Sequence, residues 1–356
     1  MAFGTSFVRD CAGSCLLVRG TRCADVRAAM ETMRARLVRS VAIAFCAFGA
    51  AAAVAAIGAS ARQAETSPGS PEDNVTASRE CRYTLAARVR PLLFWIGKSD
   101  VGEGRISWLA GENGRQGYEL LIGSLPERAP RGINRWGYIS EVRQGGGVRT
   151  FGFMTEVDEE TYEQAEKTTG VPPGSRVYKV VRATVGGGEA LAGVSGVPLP
   201  DTLTLRQADV VAARLSATAP LKSLAVPPGT QPGFLYALAS LLHENVETCL
   251  QKGVPPARTS RSFVFANRLF EVTTTSSRLL TSTKVRDREF TNVIESQFEA
   301  RQRGKSDGSR FRLIYGTEGS LREVPVRIVY RPKWWFEADA LLIGLPGQRL
   351  HEDVTR

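Results

Sequence analysis

Histidine is nearly missing from this chain: 356 residues hold two, His243 and His351. A zinc centre built on imidazoles, or a Ser-His-Asp triad with alternative bases, has almost nothing to draw on. Cysteine is also sparse where it matters. Of six cysteines, Cys11, Cys15, Cys23 and Cys46 fall early, and only Cys81 and Cys249 remain downstream. The first three, Cys11, Cys15 and Cys23, match no standard zinc spacing and have no histidine nearby. Nucleotide signatures are absent too. Gly97-Lys98-Ser99 ends like a phosphate loop, but Leu92 stands where the leading glycine belongs. Gly186-Gly187-Gly188 places Leu191 where a dinucleotide fingerprint needs glycine or alanine. Both segments are expected to be loops. Gly193-Val194-Ser195-Gly196 lacks the spacing of a nucleophile elbow. No cofactor is indicated.

What is present begins with a leader. Residues 30–61 carry Arg34, Arg36 and Arg39, then an apolar run over 41–59, then the small-residue exit Ala59-Ser60-Ala61. This is the pattern of an export signal, cleaved or retained as an anchor. The expected location is periplasmic or secreted, with an inner-membrane anchored form facing the periplasm as the alternative. Residues 1–29 read as an extension of the gene model upstream of a start at Met30 or Met33. Export argues against nucleic acid as a partner. It also favours pairing of Cys81 with Cys249, since an oxidising compartment permits disulfides. The formal charge of +10 falls to +6 once residues 1–61 are set aside, a mildly basic surface.

Residues 62–80, rich in Pro, Ser, Gly and acids, read as a flexible linker. Strand periodicity then takes over. Tyr83, Leu85, Ala87 and Val89 alternate with Arg82, Thr84, Arg88 and Arg90. Further strands fit residues 104–109, 118–122, 136–143, 149–155 and 176–185, an N-terminal β-rich region over 81–200. The stretch 186–200, full of Gly and Pro, is the expected boundary. Helices are expected over 158–167, 205–215 and 232–250, the last two within a helical connection spanning 201–255. In the last of these Leu235, Leu238, Leu242, Val246 and Cys249 recur at helical spacing, which turns Cys249 inward. Residues 256–345 form an antiparallel meander with short polar turns, followed by a tail over 346–356. The fold class is mainly β: a curled antiparallel meander or open barrel, with a few helices inserted between an N-terminal and a C-terminal sheet. A lipid-embedded barrel is disfavoured, because Glu295, Glu299, Arg301, Arg310, Arg312, Arg327 and Arg331 crowd strand faces.

Three groups invite a functional reading. Arg131, Asn134, Arg135, Trp136 and Tyr138, with Arg128 before them, mix guanidinium forks, an amide and aromatic faces suited to a carboxylate, phosphate or sugar. Sheet packing explains them equally well. Trp334, Trp335 and Phe336 follow Pro332-Lys333, and alternation turns Trp335 away from its neighbours. His243-Glu244-Asn245-Val246-Glu247 approaches a metalloprotease helix but replaces the second histidine with Glu247, and reads as a polar helix surface. Asp158, Glu159 and Glu160 read as charge at a helix start.

The C-terminal strings Phe311-Arg-Leu-Ile-Tyr-Gly, Val324-Pro-Val-Arg-Ile-Val-Tyr and Phe336-Glu-Ala-Asp-Ala-Leu resemble the closing strands of a family of bacterial envelope proteins known only as a domain of unknown function. That resemblance implies an open, lipocalin-like barrel and assigns no functional residue. The leading expectation is a non-catalytic periplasmic binding protein whose curled sheet offers an apolar interior to a lipid-like or amphiphilic anionic ligand, with arginines near the rim meeting the anionic group. A structural or assembly factor of the envelope, binding a protein partner through strand edges or Trp335, is the alternative. An enzyme restricted to Asp, Glu, Tyr and Arg comes third. Membrane contact is expected only through a retained anchor.

Overall fold

The alternating segments become fourteen strands of one antiparallel sheet in the computed structural model, which describes residues 75–90, 95–111, 116–215, 221–333 and 336–344. In chain order these are β1 (Val75–Val89), β2 (Ile96–Gly111), β3 (Gln116–Ser124), β4 (Trp136–Gln144), β5 (Gly147–Met154), β6 (Ser175–Gly186) and β7 (Glu189–Pro200). Then follow β8 (Lys222–Ala225), β9 (Thr259–Phe265), β10 (Arg268–Val285), β11 (Arg288–Gln302), β12 (Gly308–Gly316), β13 (Pro325–Lys333) and β14 (Phe336–Gly344). Helix α1 (Glu159–Thr169) lies between β5 and β6, α2 (Ala208–Arg214) between β7 and β8, and α3 (Phe234–Lys252) between β8 and β9. The leader, Trp334, Trp335 and the tail lie outside the described residues.

The sheet runs β8-β7-β6-β5-β4-β3-β2-β1-β14-β13-β12-β11-β10-β9. Every strand pairs with its sequence neighbour except where β1 meets β14, from Arg82 opposite Gly344 to Val89 opposite Phe336. That ladder merges the two expected sheets into one. It also replaces the expected disulfide as the tie between them. Cys81 and Cys249 are unbonded and buried in the same core, each filling apolar space, and burial pushes the Cys81 thiol up to about 11.

Three other expectations change. β1 starts at Val75, inside the segment read as linker. Gly97-Lys98-Ser99 belongs to strand β2, since backbone pairing with Ala87 and Arg88 outweighs its loop-like composition. The stretch expected as a boundary is the β6–β7 hairpin: Gly187 and Gly188 sit at φ 62° and 84°, the two left-handed positions a two-residue turn demands. Helix α1 forms as expected, capped by Asp158, which accepts from Thr161 N at 3.0 Å.

A sheet this broad curls under its own twist, and α3 fills the inside of the curl. Its Leu235, Ala237, Leu241, Leu242, Val246 and Cys249 are buried with Tyr83, Leu85, Phe263, Phe270, Phe298, Phe311, Leu313 and Tyr330. Phe298 stacks on Phe311 at 5.2 Å, and Phe234 of the helix meets Phe263 at 5.6 Å. Strands β3 to β6 are covered on both faces. Leu120, Ile122, Ile139 and Val181 join the α3 core, while Leu121, Tyr138, Phe153 and Val180 join a second core under α2 with Leu203, Leu205, Ala208 and Ala212. This explains why residues 120–122 read as continuous apolar sequence.

The curl stays open between β8 and β9, where a strap over residues 226–232 crosses the gap. Val226 N donates to Gly188 O at 2.9 Å, Gln231 N to Ser262 O at 2.7 Å, and Val264 N returns to Gln231 O at 3.3 Å. Beneath the strap Val185 and Ala190 pack on Val264. Side chains close what hydrogen bonds leave open.

If α3 is a core element, Leu241→Ala should lower unfolding stability by about 2–5 kcal/mol in urea titration, from lost burial plus the cavity left behind. Leu250→Ala, at a position 56% exposed on the same helix, should change it by less than about 0.5 kcal/mol.

Candidate functional site

The arginine-aromatic cluster is directed into the protein. Trp136 is fully buried between Phe153 at 5.0 Å and Tyr178 at 5.5 Å, and its indole Nε1 points to Leu203 O at 3.4 Å. Asn134 Nδ2 donates to the same carbonyl at 2.8 Å, and Arg135 donates to Thr155 O at 3.2 Å. Burial, with Arg176 close by, lowers the Arg135 guanidinium to about 10. Tyr138 Oη donates to Glu119 at 2.9 Å, and Arg105 bridges Glu119 at 2.7 Å to Asp209 of α2 at 3.0 Å. These side chains bolt α2 and its leading turn onto the sheet. Arg128 and Arg131 stay exposed, Arg131 in a turn with φ 58°.

The His-Glu-x-x-Glu run on α3 is divided among separate partners. His243 Nδ1 lies 2.8 Å from Glu323, Glu244 pairs with Arg261 of β9, and Glu247 pairs with Arg322. The three side chains tether the outer side of the helix to the rim of the curl. Among the described residues, no group of three His, Cys, Asp or Glu converges to hold a metal.

Sequence reading passed over Glu141, the most unusual carboxylate in the described chain. It is completely buried at the inner face of β4 and accepts from Leu235 N at 3.1 Å and Tyr236 N at 3.0 Å, two orphan donors of the α3 N-terminus. Gly233 is the N-cap, and an added Cβ there would fall 2.3 Å from the carboxylate. Desolvation raises Glu141 to about 7, against the opposing pull of those backbone donors. The available signal was a single acid at an inward position of an apolar strand.

Two further interior groups, Asn245 and Lys179, find side-chain partners. Asn245 Nδ2 donates to Tyr315 Oη at 2.9 Å, which meets Ser296 Oγ at 2.8 Å, itself 2.8 Å from Ser277 Oγ. Lys179, almost fully buried, bonds Asp158 at 2.5 Å. Nearby Glu156 is raised to about 7 by burial, and its Oε2 lacks a hydrogen-bond partner.

A cavity of about 510 Å³ opens where the strap crosses the seam. Its walls are the β4–β5 turn (Gly146, Gly147, Val148), the β6–β7 turn (Gly186 to Gly188) and the strap residues Val226, Pro227, Pro228 and Pro232. The one charged residue in the wall is Arg143, which is exposed. An apolar groove with a single cation is suited to holding an amphiphile by its chain and its anionic end. Of these wall residues the sequence marked Gly186 to Gly188 as a loop and Pro232 as a helix start, and it did not single out the rest of the strap. Their convergence depends on strands distant in sequence.

Glu141 makes stability depend on pH. Its native value of about 7 exceeds its ordinary 4.5, so the folded state holds a proton that the unfolded state has released between those values. Thermal melts should show stability falling as pH rises from about 4.5 through about 7, and Glu141→Gln should reduce that slope, leaving the part contributed by Glu156. An unchanged slope in the variant would mean that the carboxylate titrates normally.

No protein-family model and no curated protein matches the chain. Among solved structures it is similar to a β-barrel-like protein of a domain of unknown function, DUF1849, from Brucella abortus, at 11% identity and a TM-score of 0.36. The match covers 76% of this chain and 97% of that one, a weak resemblance at the level of the fold.

Proposed function

We propose that this chain is a non-catalytic binding protein of the cell envelope, exported by its leader to the periplasm or beyond, that takes a lipid-like or amphiphilic anionic ligand. The observation that carries this reading is the seam groove, whose volume lies within the range of small-molecule sites and whose polarity suits a chain with one anionic end. The apolar interior expected to receive the ligand is filled by α3, so the ligand is assigned instead to the groove. Arg143 meets the anionic group and the Val-Pro wall of the strap meets the apolar part. The leader sequence supports export, with a retained anchor as the variant form of the same placement.

Native mass spectrometry of protein purified from its own host should detect a bound anionic amphiphile. Arg143→Glu should weaken retention by about tenfold or more, the scale expected for reversing a charge beside an anion. Protein that carries no amphiphile and binds none on exposure to host lipid extract would sink this reading.

A further inference from the structure

The strand edges of this sheet are protected unequally. β8 is four residues long and is followed by Pro227 and Pro228. Beyond the part of β7 paired with β8, that edge carries Pro198 and Pro200, and α1 packs against the strand. β9 is crossed by Gln231. Short length, proline and cover are the usual means by which edges avoid foreign strands.

Over residues 276–285 β10 has none of these three among the described residues; what protection it has is a register break against β11 between Thr274 and Ser276 and the single lysine Lys284. The strand pairs with β9 only from Arg268 to Thr274, yet continues against β11 to Val285. Over residues 275–285 no other strand among the described residues pairs with its outer edge. The segment would extend about 35 Å at roughly 3.4 Å per residue. It reads Thr-Ser-Ser-Arg-Leu-Leu-Thr-Ser-Thr-Lys-Val, without proline, and Leu279 is 44% exposed. Arg278 pairs with Glu295 of β11, which Arg312 also engages, so the group keeps a net positive charge.

From this edge we infer that two copies of the chain join through β10, antiparallel about a two-fold axis centred on Leu280. The centre follows from geometry. A two-fold axis perpendicular to a sheet places one residue opposite itself, and the midpoint of the free edge is Leu280. The remaining pairs are then Leu279 with Thr281, Arg278 with Ser282, Ser277 with Thr283, Ser276 with Lys284 and Thr275 with Val285. No like charges face each other, two hydroxyl-bearing residues meet at Ser277 and Thr283, and exposed Leu279 covers the methyl of Thr281. Like charges directly opposite would disfavour pairing, and this register avoids them on both sides of the axis. The inference is independent of any ligand in the groove.

Sedimentation of the full chain over a concentration series tests it, with thermal melting as a check that each variant folds. Ser282→Arg places an arginine opposite the partner's Arg278 twice and should weaken dimerisation by about tenfold. Ser282→Glu places a carboxylate there and should hold the dimer at least as tightly as the parent. A monomer at every concentration up to the solubility limit overturns the pairing. So does a dimer that both substitutions leave unchanged, or one that both weaken alike.

Discussion

Everything in this fold depends on β1 being paired on both sides. Its ladder with β2 belongs to a local meander, whereas its ladder with β14 joins residues at opposite ends of the described chain. Closing so distant a contact carries a loop entropy that no local element offsets, so much of the stabilisation must come from what closure buries. Once β1 is inserted, fourteen strands share one twist and curl. The inside of the curl then becomes a space that only a large apolar element can fill.

Helix α3 fills it, and the polar chemistry around the helix serves that placement. Glu141 caps its start, Gly253 in the left-handed conformation ends it, and Asn245 is held by Tyr315 and Ser296 in the middle. Outside the curl the charges are paired across strands. Glu295 lies between Arg278 and Arg312, and buried Asp339 accepts from Arg327 at 2.6 Å. Pairs of this kind add little net stability over an apolar isostere, but breaking one leaves a buried charge. Their effect falls on register: slipping either strand by one residue would separate Arg327 from Asp339 and send every side chain to the wrong face.

With the lumen occupied, the proposed binding places lie at the margins of the sheet. Among the described residues two places there are left open: the groove under the strap and the outer edge of β10. Both arise because the sheet curls without closing through hydrogen bonds. A sealed barrel would have neither.

The class of fold, the strand periodicity of the C-terminal half and the inward face of α3, Cys249 included, were legible in sequence because each follows from spacing within one element. Turn chemistry at Gly187 and Gly188 was equally local, though it marked a hairpin and not a boundary. Pairing of β1 with β14 left no local trace, since a strand's sequence does not name its partner. The Arg-Asn-Trp-Tyr cluster carried side chains fit for a ligand, and only the packing of α2 showed them turned onto the protein's own carbonyls and carboxylates. Glu141 likewise looked like any strand acid until α3 was docked against it. Sequence by itself determined which faces must be buried, because hydrophobic periodicity is a property of neighbouring residues; tertiary structure alone decided what buries them, because that choice is made by contacts between segments that no local spacing encodes.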